Sequence, residues 1–421
     1  MRFILKKWAG RMLQPAVALL AAAAALCVFP WETAPALPAA TSPWLTLCAV
    51  LATRRLSILA LAALPLLIVS ILRGRWFCRV LCPMGWLQRL AEWRRPIRGK
   101  LLKKCPPAGQ WIMAAGLGGA LFGMPLFLGW DPLVLWTAFF SAWRPSAPYF
   151  HEWRLAAGLP LLLLLAWLFP RLWCVRLCPL GAWMDVCHRV AVFAGKQRDG
   201  LRCRTVTASS SKSNVGAGAS EVLPQMSGIS RRGFVGLAGG FLAAGALRGW
   251  SAQRGAKCLR PPGAVAEDRF NGMCARCGNC MRACPSGIIR PGLLEGGLAG
   301  ALTPVIEFQD DYCHETCAAC AQVCPTGAIR RFPLARKPDY KIGTARVIHD
   351  KCLAWKHGEY CMVCDEFCPY KAVRVVKHGG VNCPEVDEAL CRGCGACQCQ
   401  CPADPGPAIV VERDGAATER N

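Results

Sequence analysis

The sequence predicts a protein in two parts: an α-helical membrane bundle built as an internal two-fold repeat of helix pairs, and a small α+β domain organised around cysteine clusters. Three observations carry this. Long apolar runs recur through the first half, a cysteine motif repeats at an offset of 96 residues (Cys78 to Cys174), and four cysteine groups crowd the second half. The chain has 421 residues, 54% of them hydrophobic, and 28 are cysteine. That is too long and too apolar for the short secreted class in which dense cysteine means disulfides.

The apolar runs are Leu13 to Phe29, Leu56 to Leu72, Trp111 to Trp130 and Leu155 to Trp173. Each falls within the ~17–25 residues that cross a bilayer as a helix. Four spans are therefore expected over residues 1–195, although the first run, Leu13 to Phe29, could also be a secretory signal peptide. The second and fourth would also suit buried core helices by length. Basic segments at 1–11, 73–104 and 171–204 then share one side, and the Trp- and Pro-rich segments 30–55 and 131–154 share the other. The excess of Lys and Arg assigns the basic side to the cytoplasm of a bacterial inner membrane. This charge lies beside apolar segments and not on one soluble face, so the net charge of +24 does not argue for nucleic-acid binding.

The repeat is explicit. Arg75-Trp76-Phe77-Cys78-Arg79-Val80-Leu81-Cys82-Pro83 matches Arg171-Leu172-Trp173-Cys174-Val175-Arg176-Leu177-Cys178-Pro179. Each copy follows an apolar run containing a proline, Pro65 or Pro160. Residues 196–228, with the Ser-rich stretch Ser209 to Ser220, read as a flexible linker. Residues 229–250 read as a signal-anchor helix. Ser230-Arg231-Arg232 before a Gly-rich apolar run has the form of a twin-arginine (Tat) export signal, or of a basic flank on a fifth helix. Ala264-Val265-Ala266 resembles a cleavage site, yet the segment is expected to stay attached.

Residues 258–421 form the cysteine domain. Its groups are Cys274, Cys277, Cys280 and Cys284; Cys313, Cys317, Cys320 and Cys324; Cys352, Cys361, Cys364 and Cys368; and Cys391, Cys394, Cys397 and Cys401. Each ends in Cys-Pro. The first and fourth have the C-x2-C-x2-C-x3-C-P spacing of bacterial 4Fe–4S ligation, and the others lengthen only the first gap. Three closely spaced thiolates hold three iron corners, and the fourth reaches another cluster. Four 4Fe–4S clusters are expected, paired between adjacent motifs or nested. Zinc also uses Cys-x2-Cys pairs, but four successive groups of this form favour iron–sulfur. The domain has a small core, so its clusters must supply much of the folding energy.

Cys78, Cys82, Cys174 and Cys178 could supply four thiolates to a fifth cluster at the repeat axis, on the cytoplasmic side, or remain structural thiols. Cys399 lies inside the fourth group and could confuse its ligand set. No Cys-x-x-Cys-His occurs, so no c-type haem is expected. None of the six histidines lies in an expected span, which argues against a membrane haem. No Gly-rich dinucleotide fingerprint follows a strand, so neither NAD nor flavin is expected. No catalytic residue is assigned; His151 and Glu152 could take up quinol protons or be an ordinary interfacial polar pair.

These motifs resemble a known family. Ser230-Arg231-Arg232, then Leu259-Arg260-Pro261-Pro262-Gly263-Ala264, then the four cysteine groups in order, resemble polyferredoxins of the NapG/MauM type. The first half resembles their membrane partners of the NapH/MauN type, as if the two were fused, but without those partners' extra cytoplasmic ferredoxin motifs. The resemblance implies an integral membrane protein that oxidises quinol from the quinone pool. It implies a periplasmic ferredoxin-like domain that passes the electrons to a redox enzyme or cytochrome, as in periplasmic nitrate reductase and methylamine dehydrogenase systems. A tethered ferredoxin without quinone chemistry, and a cytoplasmic assembly or redox-sensing factor, are the alternatives.

Overall fold

Proline and glycine cut the apolar runs of the first half into short helices. The computed structural model describes residues 15–17, 19–20, 37–92, 107–142, 153–169, 171–207, 231–253 and 258–413 apart from 294 and 296. Most of the run Leu13 to Phe29 lies outside the described residues. So do the basic stretches 1–11 and 93–104, His151, Glu152 and the expected linker from 208 to 228. Residues 196–207 continue the preceding helix.

The expected helical membrane bundle is corrected here. Among the described residues, no helix is long and apolar enough to cross a membrane. The run from Leu56 gives a 3-10 stretch, Ile58–Ala63, and then α2, Leu64–Arg73, which restarts at Pro65. The run from Trp111 gives α3, Ala108–Leu121, which stops before Gly123 (φ +84°) and Pro125. The run from Leu155 gives α5, Gly158–Leu168, of 11 residues. At 1.5 Å per residue α5 is about 16 Å long, against a hydrocarbon core of ~30 Å. Two helices are longer. α6, Pro179–Thr207, carries many charged residues, and α7, Arg231–Gln253, is Gly-rich and includes Arg231, Arg232 and Arg248.

Two further helices organise the middle of this half. α1 is Pro43–Thr53 and α4 is Pro132–Ser141, each with proline in the first turn. Their N-caps are Ser42 and Asp131, both fully buried. Ser42 Oγ accepts from the Leu45 amide, and Asp131 Oδ1 accepts from the Leu133 amide. Ser42 Oγ also donates to Asp131 Oδ2 at 2.6 Å, so the two caps lock to each other. Each cap is worth ~1 kcal/mol by itself. α3 and α7 lie side by side through small residues. A Cβ at Gly240 would come within 2.3 Å of the Ala115 carbonyl, so only glycine allows that approach.

The cysteine domain consists of two similar units, each with an inner hairpin and an outer pairing. In the first unit β1 (Ile289–Pro291) pairs antiparallel with β2 (Pro304–Ile306), and Ala264 bridges Ile329 outside them. In the second, β4 (Val373–His378) pairs with β5 (Val381–Val386), and β3 (Thr344–Val347) pairs with β6 (Ile409–Glu412). The β4–β5 turn is Gly379-Gly380, both at positive φ, as a two-residue hairpin requires. Arg260 is buried and donates to Glu267, Thr303 and the Pro304 carbonyl, and Arg413 joins Glu267 from the far end of the domain. Burial alone would raise the Glu267 pKa. The hydrogen bonds and charges of Arg260 and Arg413 outweigh that and hold it below the usual carboxylate range.

The two halves share a core. Ala52 of α1, Ala138 of α4 and Leu155 pack with Phe270, Met273, Cys274 and Met281. Arg248 of α7 adds a salt bridge to Asp268 at 2.7 Å.

Candidate metal centres

The sixteen cysteines of the second half fall into four sets of four, each lining its own cavity. Site A has Cys274, Cys277, Cys280 and Cys324. Site B has Cys284, Cys313, Cys317 and Cys320. Site C has Cys352, Cys361, Cys364 and Cys401, and site D has Cys368, Cys391, Cys394 and Cys397. Every site takes three cysteines from one motif and the last cysteine of its neighbour. The crossing is between adjacent motifs, which decides between the two pairings left open by the sequence.

The geometry suits a cluster better than a single ion. Among the described residues, no three His, Cys, Asp or Glu side chains gather closely enough for one metal ion, as a tetrahedral zinc site would require. Four thiols instead ring a void. Backbone amides point at them: Ile329 N–H to Cys324 Sγ at 3.4 Å, Ala372 N–H to Cys368 Sγ at 3.2 Å, Ala345 N–H to Cys391 Sγ at 3.4 Å, and Ala408 N–H to Cys401 Sγ at 3.2 Å. Without metal, Cys364 and Cys394 resist ionisation. Burial, then the charges of Cys352 and Cys361, push Cys364 up to about 12. Burial pushes Cys394 up to about 11 against the pull of the Ala396 amide. Loading therefore releases protons, and cluster binding and folding are linked.

The four sites form a line whose order differs from chain order. Cys280 of site A and Cys320 of site B are close enough for their charges to interact. Cys313 of site B donates its backbone N–H to the Cys394 carbonyl of site D at 2.9 Å. Cys397 of site D and Cys364 of site C interact in turn. The order is A, B, D, C. At the junction between the two units, the Phe308 ring packs on Gly395 (φ +85°), where a Cβ would come within 2.3 Å of it.

Sequence reading missed one residue of these sites. Lys337 is 4% exposed. Its Nζ donates to Cys313 Sγ at 3.3 Å, to the Cys317 carbonyl at 2.6 Å and to the His314 carbonyl. In the sequence it stands in Arg336-Lys337-Pro338 and looks like an exposed loop cation. Cys399 lines none of the four cavities.

Cys78, Cys82, Cys174 and Cys178 also come together, as site E. They share one core with Met84, Trp136, Trp173, Leu180 and Met184, and their charges act on one another. Cys82 and Cys178 each precede a helix, Pro83–Glu92 and α6, so helix N-terminal amides face their sulfurs; Gly181 N–H lies 3.3 Å from Cys178 Sγ. Arg75 crosses the repeat. It forms a bidentate pair with Asp185, at 2.7 and 2.6 Å, and donates to the Cys174 carbonyl at 2.9 Å. Asp131, at the start of α4, lies near enough for its charge to reach Cys82 and Cys178. At the other end of α4, Ser141 Oγ bonds Asn279 Oδ1, next to Cys280 of site A. Ten residues of helix cover about 15 Å.

Crossed cysteine sets in two similar units define an iron–sulfur protein of the paired-cluster ferredoxin class. The family described as a 4Fe-4S dicluster domain matches residues 273–328, and the one described as a 4Fe-4S binding domain matches residues 55–104 and 152–198. The methylamine utilization ferredoxin-type protein MauM of Methylorubrum extorquens is 38% identical over 169 residues, covering 38% of this chain and 74% of that protein. MauM of Paracoccus denitrificans is 34% identical over 187 residues, 42% of this chain and 80% of the relative. The ferredoxin-type protein NapG of Escherichia coli is 35% identical over 196 residues, 43% and 82% respectively. The chain belongs to this family of ferredoxin-type proteins, MauM and NapG. No solved structure matches. For the first half, the 4Fe-4S binding match covers both Cys-x3-Cys-Pro segments, while among the described residues no helix is long and apolar enough to be one of the membrane spans of the NapH/MauN resemblance.

Proposed function

We propose that the chain is an electron relay that accepts electrons from quinol and delivers them to a redox enzyme or cytochrome on the periplasmic side. The observation that carries this reading is the unbroken line of sites A, B, D and C. Bound 4Fe–4S clusters supply reversible one-electron transfer, and the protein holds them in series. The Cys280–Cys320, Cys313–Cys394 and Cys397–Cys364 approaches keep neighbouring sites close. Site E, at the far end of α4 from site A, is the fifth cluster site in this reading. Its four thiols come from both copies of the repeat, and Arg75 offsets part of the negative charge that four thiolates bring.

The direction follows from the two ends of the line. Site A joins the first half of the chain through Ser141–Asn279. Site C lies at the outer end, where Tyr360 is 78% exposed beside Cys361. Site C is therefore the exit to the acceptor. The twin arginine of Arg231 and Arg232, at the start of α7, supports export and a periplasmic acceptor. The relatives named for methylamine utilization point to an oxidoreductase system of that kind, and a nitrate reductase-like system is the other candidate.

The test is anaerobic. Purified full-length chain is mixed with a short-chain quinol, and its reduced-cluster EPR signals are recorded. Quinol is expected to produce the signals that dithionite produces. Dithionite-reducible clusters that quinol never reduces would sink the quinol part and leave a relay between proteins. Digestion of residues 258–421 by external protease on spheroplasts is the expected sign of the periplasmic side, and full protection would refute it.

A further inference from the structure

We infer that quinol binds in the cavity between α1 and site A, with its head group against Cys324. This inference rests on the quinol reading above and adds where the quinol sits. The cavity measures about 400 Å³, within the range of small-molecule sites. That is large enough for a substituted benzoquinol ring and too small for a protein donor. It forms where the two halves of the chain meet, between the α1 to 3-10 segment and the loop from Ala321 to Arg331.

Three features of the lining match that ligand. First, Cys324, a ligand of site A, forms part of the wall. A ring in the cavity lies directly against the first site of the line. Second, Arg55, Arg269, Arg330 and Arg331 line the cavity, and among the described residues of its walls there is no Asp, Glu or His. Arg269 donates through Nη2 to the Ala52 carbonyl, while its Nε is buried without a hydrogen-bond partner. Guanidinium groups favour ionisation of a quinol hydroxyl, and the anion gives up electrons more readily than the neutral quinol. Third, the mouth borders exposed apolar surface. Leu56 of the wall is 84% exposed, and Ile58 and Leu61, beside the lining residues Leu59 and Ala60, are 67% and 60% exposed. An isoprenoid tail would cover that apolar strip, whose exposure is costly in water.

The chemistry balances. Quinol loses two electrons and two protons to become quinone. The two electrons need two one-electron acceptors: an oxidised 4Fe–4S centre held by Cys274, Cys277, Cys280 and Cys324 would take one, and a second centre held in site B would take the other. Both protons pass to water at the mouth, since the described lining holds no carboxylate or imidazole.

The experiment uses full-length, cluster-loaded chain and an azido-benzoquinone with a decyl tail. Photolysis followed by peptide mapping is expected to label residues within 46–60 or 321–331. Ala60→Trp, which fills the cavity from its rim, is expected to cut labelling and the rate of reduction by duroquinol at least tenfold. Reduction by dithionite should stay at the wild-type level, showing that the variant is folded and loaded. Labelling elsewhere, or an Ala60→Trp chain that duroquinol still reduces at the wild-type rate, overturns the site while leaving quinol oxidation standing. If duroquinol reduces neither chain, the quinol reading itself fails.

Discussion

Replacing Lys337 by methionine is expected to lower the reduction potential of the site B cluster and of no other. Methionine keeps the length of the buried stem and removes the charge and the N–H···S bond to Cys313. The magnitude follows from Coulomb's law. A unit charge about 6 Å from the middle of the site contributes about 3 kcal/mol at an effective dielectric constant of about 20. For a one-electron couple, about 59 mV corresponds to ~1.4 kcal/mol, which gives an upper bound of about 120 mV. Screening at the part-buried sulfur reduces this, so a fall of about 50–120 mV is expected. The direction is fixed, because an added electron makes the cluster more negative and a nearby cation stabilises that state. EPR-monitored redox titration of the anaerobic full-length chain reads the shift. Cys284→Ser identifies the site B signal by removing it. Lys337→Arg, which keeps the charge, should restore most of the potential. Midpoints in Lys337→Met that overlay the wild type would refute the role given to the lysine.

Other outcomes are equally specific. Cys324→Ser should abolish the signal of site A, although Cys324 belongs to the second motif, and Cys284→Ser should abolish that of site B; the reverse pattern would exclude crossed ligation. Gly395→Ala should force the Phe308 ring away and separate the two units. Freeze-quench EPR should then show sites A and B reduced well before D and C, and simultaneous reduction would exclude the junction as the route. Glu267→Gln leaves the Arg260 guanidinium buried with only neutral acceptors and should cost about 2–4 kcal/mol in denaturant unfolding of the loaded chain. Because Glu267 titrates lower in the folded state, its stabilisation is complete above its unfolded pKa and fades as pH falls through the folded one. The glutamine variant should lack that acid-side loss.

The metal sites were legible in the sequence because thiolate spacing is a local constraint. The sixteen cysteines could be picked out directly, and only their crossed grouping into four sets needed coordinates. The Cys78–Cys174 repeat likewise announced a four-thiol site, but not Arg75–Asp185, since nothing near Asp185 marks it as a partner across the repeat. Lys337 and Arg260 were illegible for a shared reason: a buried cation looks like a surface one until its carbonyl and carboxylate partners fold around it. Among the described residues, the sequence misleads most at the expected membrane helices. Apolar composition at 56–72, 111–130 and 155–173 predicts continuous helix. Pro65, Gly123, Pro125 and Pro160 break it, and Ser42 and Asp131 start new helices inside what were expected to be loops. Composition shows that those segments are apolar but not where they are interrupted, and many of their side chains, such as Leu56, Ile68, Leu72 and Leu161, are exposed.

The most direct measurement is the iron, acid-labile sulfide and EPR spin count of the anaerobically purified chain in which Cys78, Cys82, Cys174 and Cys178 are all serine. That variant retains sites A, B, C and D alone. About sixteen iron and sixteen sulfide atoms per chain are expected, with about four mutually interacting spins on full reduction. Zinc in place of iron, or clearly fewer than four clusters in fully loaded protein, would contradict four crossed 4Fe–4S sites in one line.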